Sequence, residues 1–362
     1  MPIKLESLQA QIPKKGHDWV AAETSFSALP TEAQTQALGL SVTKEELAKT
    51  EQAVNAVEAL QSEVSSKFAG TFSAPAAIDW RNNGGDFTTP VKDQMSCGSC
   101  VSFATIGTIE SRMNIACKNP NLDPNYSEAF LFYCGCGNCC GGGWNFAPAL
   151  DFCKNTGVVL DSAFPYTPVD QPCKPGVTPA FKITGWSSAL SMADRKNVIA
   201  SKGPVVAGMA VFEDFSFYHS GVYKHTSGVL RGYHAVSVVG YDDNLQCWIA
   251  KNSWNTSWGD NGFFKIGYGE CQIDTNFAFY DVTLECQGPQ PTPCTQYVAS
   301  LKQVLTLART NLALRRCLRY YVCGKPSIPP LCSAQHLAVA KALVKILKLC
   351  PQYRKAFCDA LG

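Results

Sequence analysis

Eighteen cysteines constrain this chain more than any other feature, and all of them lie after residue 96. Cysteines at this density are typical of proteins that form disulfides in an oxidising compartment. Zinc binding is the competing explanation. However, the paired CxxC…CxxC spacing of a zinc site is absent. His234 is the only histidine in the cysteine-rich region whose position along the sequence suggests a function. The sequence therefore predicts a disulfide-braced protein without a metal ion or another cofactor.

Charge is distributed unevenly along the 362 residues. Residues 287–362 contain 11 Lys and Arg residues and one acidic residue, a formal charge of +10, whereas the remainder carries 20 basic and 28 acidic residues, a formal −8. No segment reaches the roughly 20 apolar residues that span a bilayer. Residues 1–16 are polar, so we expect that a signal peptide preceded them and that the protein is secreted or lysosomal or vacuolar. We expect no nucleic-acid partner.

Residues 1–72 contain no cysteine and have helical periodicity. Thr43 and Glu46 form a capping box ahead of a helix that begins near Lys44. We expect this segment to be a removable propeptide; the alternative is a helical subdomain that stays attached.

Residues 73–286 change from helical to strand periodicity along their length. Helices are predicted over 99–116 and 126–155, the second interrupted by a loop at 134–143 that disulfides must hold. The predicted strands are 205–211, 234–241, 247–251, 262–268 and 278–284. Helices followed by antiparallel strands favour an α+β fold with two halves and a cleft between them. Residues 287–293 predict a stiff linker, and residues 294–362 predict a basic, cysteine-rich helical domain.

Four residues within 73–286 have the chemistry of an acyl-transfer site. Cys100 stands where a helix begins, and a helix N-terminus lowers the thiol pKa from about 8.5 by favouring the thiolate. His234 opens an apolar strand and can accept the thiol proton, and Asn252 can orient its imidazole. Gln94 lies six residues before Cys100, so its amide can converge with the Cys100 amide on a developing oxyanion.

The chain resembles the papain-like cysteine peptidases over residues 73–286. The matching blocks are Asp79-Trp-Arg, Pro90-Val-Lys-Asp-Gln, Cys97-Gly-Ser-Cys, Ser127-Glu, Cys140 with its following glycines, Tyr233-His-Ala-Val, Lys251-Asn-Ser-Trp and Trp258-Gly. The resemblance implies a two-lobed fold, with a helical lobe and an antiparallel, barrel-like β lobe. It implies that Cys100 is the nucleophile, His234 the acid and base, Asn252 its orienter and Gln94 an oxyanion donor.

The resemblance also implies disulfides, a substrate cleft and a zymogen. The implied disulfides are Cys97–Cys140 and Cys134–Cys173. Trp254 would shield the His–Asn hydrogen bond. The residues implied in substrate binding are Gly142, Gly143, Trp144, Asn145, Gly208, Gly232, Tyr233, Ala235, Trp254 and Asn276, whose small or neutral character favours an apolar or aromatic substrate side chain. A histidine-containing occluding loop is absent between residues 166 and 182, which favours an endopeptidase with an open cleft.

Some features depart from the family pattern. Val101 replaces the aromatic residue that usually follows the nucleophile, and the usual cysteine partner of Cys271, expected near Gly228, is absent. Eleven cysteines of this region remain beside Cys100, so at least one more is unpaired within it. Residues 1–72, called the leader from here on, resemble the short cathepsin-B-type propeptide over residues 19–40.

Two other functions compete with a peptidase. Cys97-Gly-Ser-Cys100 alone could be a redox CxxC, although such a protein needs no distant His and Asn. A papain fold without activity could serve as a binding module.

The basic C-terminal segment contains six cysteines, which allow many connectivities. Nested bridges suit a helical hairpin: Cys294–Cys358, Cys317–Cys350 and Cys323–Cys332. The segment is predicted to bind an anionic membrane or a cell-surface polymer, or else to dock on the acidic remainder of the chain. The expected partners are thus peptide or protein substrates, the propeptide as inhibitor, and this anionic surface.

Overall fold

The computed structural model describes residues 3–67, 74–174, 176–286, 295–324, 330, 332–349 and 352–361. The chain divides into two compact units, residues 1–288 and residues 289–362, and each is described by itself. The predicted end of the propeptide at residue 72 and the predicted linker 287–293 lie outside the described residues.

The helices of the first unit are α1 (Leu5–Lys14), α2 (Thr31–Gln36), α3 (Lys44–Lys67), α4 (Cys100–Ala116), α5 (Phe146–Asn155) and α6 (Met192–Lys202). Its strands are β1 (Val20–Ala21), β2 (Ala77–Asp79), β3 (Gly185–Ala189), β4 (Val205–Phe212), β5 (Tyr218–Ser220), β6 (Val222–Tyr223), β7 (Leu230–Asp242), β8 (Cys247–Lys251), β9 (Phe263–Gly267) and β10 (Phe279–Thr283). Helices dominate the first part of this unit and strands the second, so the predicted α+β class is confirmed.

The leader helix α3 begins where its capping box predicts. The Thr43 amide donates to the Glu46 carboxylate at 2.7 Å, and the Glu46 amide donates to Thr43 Oγ1 at 3.2 Å. These hydrogen bonds satisfy backbone donors that the first turn of a helix leaves free. They also hold the pKa of Glu46 below its usual value.

Helix α4 runs through the centre of the first unit. Every side chain from Cys100 to Asn114 is buried, because the helix packs on β7 on one side and on the other helices elsewhere. Thr108 Oγ1 and Ser237 Oγ of β7 are hydrogen-bonded at 2.8 Å. A helix buried on all sides shows little amphipathic pattern, which is why periodicity alone does not reveal its neighbours.

The main sheet has the strand order β3-β10-β4-β7-β8-β9-β6, and β2 pairs with β7. Its neighbouring strands are antiparallel except for β6 and β9, which are parallel. The outer strands β3 and β6 do not pair with each other in the described part of the chain, so the sheet stays open rather than closing as a barrel-like lobe would. Strand β6 has only two residues, and two of the five β3 residues are exposed. Short or partly exposed edge strands leave a sheet open.

Disulfides brace the region around α4 and α5. The structure contains Cys97–Cys140 and Cys134–Cys173, the two pairs that the resemblance implies, and also Cys117–Cys286 and Cys136–Cys139. Cys153, Cys247 and Cys271 are buried and, like Cys100, unpaired. The inference that at least one further thiol of this region is free therefore agrees with the structure.

The second unit contains α7 (Thr295–Thr310), α8 (Leu312–Tyr321), α9 (Ala334–Leu349) and α10 (Gln352–Leu361). Asn311 separates α7 from α8, because its side chain accepts a hydrogen bond from the Leu314 amide at 2.9 Å and caps α8. Leu312, the first residue of α8, is 59% exposed. Apolar side chains of all four helices, including Leu318, Leu343 and Phe357, form the core.

The predicted nested disulfides of the second unit are wrong where the structure describes them. Cys317 pairs with Cys332, not with Cys350, and Cys323 pairs with Cys358, not with Cys332. The prediction assumed a two-helix hairpin. The unpredicted helix α10 instead brings Cys358 to the end of α8. The predicted Cys294–Cys358 pair is wrong as well, because Cys358 is bonded to Cys323. Cys294 and Cys350 themselves lie outside the described residues.

None of the helices in the described ranges is both long enough and apolar enough to cross a membrane.

Candidate active site

Cys100 is the first residue of α4 and is fully buried. The Cys97–Cys140 disulfide fixes the loop that precedes it. Burial raises the pKa of the Cys100 thiol to about 12, while the backbone amides of Ala235 and Gly39 approach the sulfur and oppose that rise. The sulfur therefore lies beside β7, which carries Ala235, and beside the leader, which carries Gly39.

His234 and Asn252 come together because β7 and β8 are antiparallel neighbours. His234 Nε2 and Asn252 Oδ1 are 2.7 Å apart. The other ring nitrogen, Nδ1, is buried and has no hydrogen-bond partner among the described residues. Burial lowers the pKa of His234 to about 4, and the Asn252 contact opposes this. Ala235, the residue after His234, has its backbone amide directed at the Cys100 sulfur.

Two aromatic rings cover this histidine from one side. The Trp254 ring lies 4.7 Å from the His234 ring, centroid to centroid. Phe26 of the leader stacks on Trp254 with a centroid distance of 3.7 Å and an interplanar angle of 4°. Trp254 thus shields the imidazole, and the leader extends the cover with a further ring.

Gln94 is buried, and its side-chain amide makes hydrogen bonds in two directions. Its Nε2 donates to the Ala37 carbonyl of the leader at 2.9 Å and to the Cys97 carbonyl at 2.9 Å. Its Oε1 accepts from Ser253 Oγ at 2.6 Å. A leader carbonyl oxygen therefore occupies the donor that sequence reasoning assigned to an oxyanion.

The leader passes through the cleft as an extended segment. The Leu40 amide donates to the Tyr233 carbonyl at 3.2 Å, the Trp144 amide donates to the Gly39 carbonyl at 2.8 Å, and the Ser41 amide donates to the Trp144 carbonyl at 2.9 Å. Both bridges that this segment forms, with Tyr233 and with Trp144, are parallel. Leader residues thus use the backbone groups of two predicted substrate-binding residues.

The Leu40 side chain fills an apolar pocket. Leu40 packs in one core cluster with Ala235 and Phe277. A side chain added at Gly208 would meet Phe277 at 2.6 Å and Leu40 at 2.7 Å, so glycine at this position makes the room that Leu40 occupies. Tyr233 lies against Phe277, with ring centroids 5.9 Å apart. Sequence reasoning missed Phe277, because a phenylalanine before β10 carries no signal beyond that of a core residue.

The remaining predicted substrate-binding residues have different contacts. Gly232 faces Leu38 of the leader, which lies 3.2 Å from where a Gly232 side chain would begin. Asn276 Nδ2 donates to the Glu51 carboxylate of α3 at 3.0 Å. The Asn145 side chain accepts from the Phe146 amide at 2.7 Å and caps α5, so its own oxygen is already used.

Gly142 and Gly143 form a tight turn beside the leader. Both of their amides donate to the Cys139 carbonyl, at 3.1 and 2.7 Å. Gly143 has a φ of +69°, and a side chain there would meet the Gly39 carbonyl oxygen at 2.1 Å. Close approach of two backbones therefore requires glycine at this position.

Val101, the departure from the family signature, is fully buried in the core cluster around α4.

Comparison with known proteins identifies the family of this chain. The family model described as papain family cysteine protease matches residues 74–280, more than half of the chain. The chain belongs to the papain family of cysteine proteases. It is therefore a hydrolase of the cysteine peptidase class, and its disulfides fit an oxidising compartment.

Relatives and solved structures agree with this membership. The chain is 36% identical over 210 residues to a cathepsin L-like proteinase of Fasciola hepatica, which covers 55% of this chain and 62% of that protein. It is 34% identical over 224 residues to cathepsin B-like CP1 of Giardia intestinalis, covering 57% of this chain and 73% of that protein.

Among solved structures, procathepsin B S9 from Trypanosoma congolense superposes with a TM-score of 0.61 at 23% identity, covering 77% of this chain and 98% of that one. Digestive procathepsin L 3 of Tenebrio molitor gives a TM-score of 0.60 at 23% identity, covering 77% and 88%. At this identity the superpositions establish the shared fold.

Proposed function

We propose that this protease is an endopeptidase that cleaves peptide bonds through a Cys100–His234–Asn252 triad and that the 362-residue chain is its inhibited zymogen. The observation that carries the triad is the 2.7 Å His234–Asn252 hydrogen bond, together with the unpartnered Nδ1 on the same ring. Asn252 fixes the ring and leaves one nitrogen for the proton of Cys100, whose sulfur contacts the adjacent Ala235 amide.

The proposed reaction proceeds in two acyl transfers. His234 accepts the Cys100 proton, and the sulfur attacks the substrate carbonyl carbon. The oxyanion that forms is stabilised by Gln94 Nε2 and the Cys100 amide. The protonated His234 then gives its proton to the leaving amine as the C–N bond breaks, which leaves a thioester. Water, deprotonated by His234, attacks the thioester, and the proton returns to the sulfur as the acid product leaves.

The leader would inhibit because it occupies the same groups without presenting a cleavable bond. Gln94 binds the carbonyl of Ala37, whereas the sulfur is approached by the amide of Gly39. Attack requires one peptide group to supply both the oxygen at Gln94 and the carbon at the sulfur. In the leader, Ala37 supplies the oxygen at Gln94, whereas Gly39 approaches the sulfur. No single peptide bond of the leader is therefore positioned for attack. Residues 1–72 would accordingly be the propeptide and residues 73–286 the catalytic domain.

Burial under the leader also favours the neutral forms of the catalytic pair. The pKa of Cys100 is raised to about 12 and that of His234 is lowered to about 4. A thiol and a neutral imidazole therefore coexist over the whole range between those values. Departure of the leader would admit water and remove the desolvation that keeps the nucleophile protonated.

The pocket that holds Leu40 would receive a substrate side chain of similar size. It is lined by Gly208, Ala235 and Phe277, with no charged group among these contacts. We therefore expect preference for an apolar or aromatic substrate residue over Lys or Arg.

Active-site titration tests the proposal. The chain is treated with an epoxide inhibitor of thiol peptidases before and after removal of the leader, and adducts are counted by mass spectrometry. One adduct per molecule only after leader removal, and none in Cys100→Ala, would support it. Cys153→Ala serves as the matched control, because Cys153 is an equally buried free thiol outside the site. Absence of an adduct on the leader-free enzyme would contradict the proposal and favour an inactive papain-fold binding module.

Most basic side chains in the described part of the second unit have no acidic partner within that unit. Its exposed basic residues include Lys302, Arg309, Arg316, Lys341, Lys345 and Lys348. In the described part of this unit the recorded ion pair is Lys355–Asp359, at 2.9 Å. Leu307 and Leu312 are 53% and 59% exposed. Exposed leucines among unpaired cations favour an anionic membrane surface over a cell-surface polymer as the partner of this domain, residues 294–362.

Vesicle binding by the full chain tests this second proposal. We expect binding to vesicles that contain phosphatidylserine and not to neutral vesicles, with loss at high salt. Replacing Lys302, Arg309 and Arg316 by Gln should weaken binding roughly 100-fold, since each basic residue near an anionic surface contributes about 1 kcal/mol. The control replaces three exposed leader lysines, Lys4, Lys14 and Lys44, by Gln. Binding that is indifferent to salt and lipid charge would contradict tethering and leave docking on the acidic part of the chain.

A further inference from the structure

Tyr166 connects the two ends of the segment that carries the oxyanion donors. Its hydroxyl donates to the backbone carbonyl of Gln94 at 2.9 Å. The same hydroxyl lies 2.7 Å from Ser99 Oγ. Gln94 supplies the proposed side-chain donor, and Ser99 directly precedes the proposed nucleophile. One phenol group therefore contacts both ends of segment 94–99.

The directions of these hydrogen bonds follow from the proton count. A tyrosine hydroxyl has one proton, and the Gln94 carbonyl can only accept, so Tyr166 donates to Gln94. Ser99 then donates its own proton to the Tyr166 oxygen at 2.7 Å, with a longer contact to the Cys97 carbonyl at 3.4 Å. The neighbouring Tyr133 hydroxyl donates its own proton to the Thr167 carbonyl, so it is no donor to Tyr166. Its oxygen is a second acceptor near the Tyr166 proton, beside the 2.9 Å hydrogen bond to Gln94. The two hydrogen bonds therefore run in one direction: Ser99 donates to Tyr166, and Tyr166 donates to Gln94.

Ser99 does not perform the usual task of a serine at this position. A serine that precedes a helix commonly adopts extended backbone angles and accepts a hydrogen bond from an amide of the first turn. Ser99 instead has φ −97° and ψ 12°, and its side chain makes no capping hydrogen bond. Its hydroxyl is directed to Tyr166. The amides at the start of α4, including that of Cys100, are left without a side-chain cap.

Packing holds the Tyr166 ring in place. Phe103 of α4 meets it edge-on, with ring centroids 4.8 Å apart, and Tyr133 stacks beside it at 6.2 Å. Burial raises the pKa of Tyr166, so the hydroxyl keeps its proton over the working pH range of a protein. A rigid ring with a permanently protonated hydroxyl is suited to fixing the geometry of a loop.

We infer that Tyr166 is a positioning residue for the peptidase reaction: its hydroxyl holds Gln94 and Ser99 so that the Gln94 amide and the Cys100 amide converge on one oxyanion. The inference rests on the proposed triad and extends it to a residue that does not touch substrate. Small displacements of catalytic groups reduce turnover without changing substrate binding. Tyr166 should therefore act on kcat rather than on KM.

The test compares leader-free enzymes that differ by one hydroxyl. Tyr166→Phe is expected to lower kcat by about tenfold with KM changed less than about twofold, a smaller loss than the roughly 100-fold or more expected when an oxyanion donor is removed. In a Gln94→Ala background, Tyr166→Phe should have little further effect, because the donor that it positions is already gone. Tyr268→Phe is the matched control. It removes a half-buried tyrosine hydroxyl that donates to Asp243 at 2.7 Å, outside the segment, and it should keep the parent kcat.

The possible results distinguish failure of the proposed peptidase function from failure of the positioning role of Tyr166. If the parent enzyme forms no adduct with the epoxide inhibitor, the proposed function fails. If the parent forms an adduct and Tyr166→Phe keeps the parent kcat, or loses the same factor in the Gln94→Ala background, the positioning role is wrong. Should Tyr166→Phe not fold, Ser99→Ala removes the other half of the contact without disturbing the aromatic packing. It should then lower kcat about threefold with KM unchanged; an unchanged kcat would overturn the inference.

Discussion

Gly39→Ala is the substitution that most directly tests how the leader occupies the cleft. A Cβ atom at residue 39 would lie 1.9 Å from the Gly98 carbonyl oxygen and 2.5 Å from the Gly98 Cα. Both are backbone atoms, and Gly98 cannot easily retreat because its amide donates to the Cys140 carbonyl at 2.9 Å. The leader must therefore move out by more than 1 Å, the shortfall from ordinary contact of roughly 3.4 Å.

The cost of that movement can be worked from the contacts that it breaks. Three backbone hydrogen bonds hold residues 39–41 to Tyr233 and Trp144, and each contributes about 1 kcal/mol. Withdrawing Leu40 from its pocket forfeits about 1.5–3 kcal/mol of apolar burial. The sum of about 4.5–6 kcal/mol corresponds to roughly a 10³- to 10⁴-fold larger population of the open cleft.

Alkylation of Cys100 in the full-length chain measures this population. The chain is exposed to a dilute alkylating reagent, and adducts are counted by intact mass, so that self-processed molecules are excluded. The rate for Gly39→Ala should exceed the parent rate by up to that factor, limited by the rate of the leader-free enzyme. Gly16→Ala is the control, since the space around Gly16 is open. An unchanged rate for Gly39→Ala would refute the seating of residues 37–41 over Cys100.

Three further outcomes are expected. In the full-length chain, raising the pH from about 5 to 9 should produce no ultraviolet thiolate signal from Cys100, because burial raises its pKa to about 12 and the thiol stays protonated below that value; a signal lost in Cys100→Ala would contradict this. Phe26→Ala should weaken leader docking by about 3 kcal/mol, since it removes the ring stacked at 3.7 Å on Trp254, and calorimetric unfolding of the full-length chain should record the loss. Replacing both Cys136 and Cys139 by Ser should raise KM severalfold with kcat unchanged, because their disulfide braces the turn that forms one wall of the cleft; steady-state kinetics would reveal a kcat effect instead if the brace acts on the chemistry.

The secondary structure around the site could be predicted because local rules and tertiary packing agree there. Strand β8 has the predicted ends, Cys247 and Lys251, and α4 begins one residue after its predicted start at Ser99. Apolar runs bounded by turn residues are enough to define such elements.

Residues that act through a distant contact could not be predicted. Tyr166 and Phe277 are aromatic residues in segments with no motif of their own, and only the packed structure brings them to Gln94 and Gly208. The predicted disulfide pairing of the second unit was wrong for a related reason. Pairing depends on which helices lie side by side, and α10 was not foreseen.

By itself, the sequence determined the chemistry: a cysteine at a helix start, a histidine on a strand, an asparagine 18 residues later and a glutamine six residues before the cysteine. These features follow from residue type and spacing, which can be read directly from the sequence. Only the tertiary structure decided how deeply these catalytic groups are buried and which protonation state burial favours. Gly39 of the leader approaches the Cys100 sulfur, Phe26 stacks on Trp254, and burial raises the pKa of Cys100 and lowers that of His234. Burial is a property of the assembled fold, so no local pattern contains it.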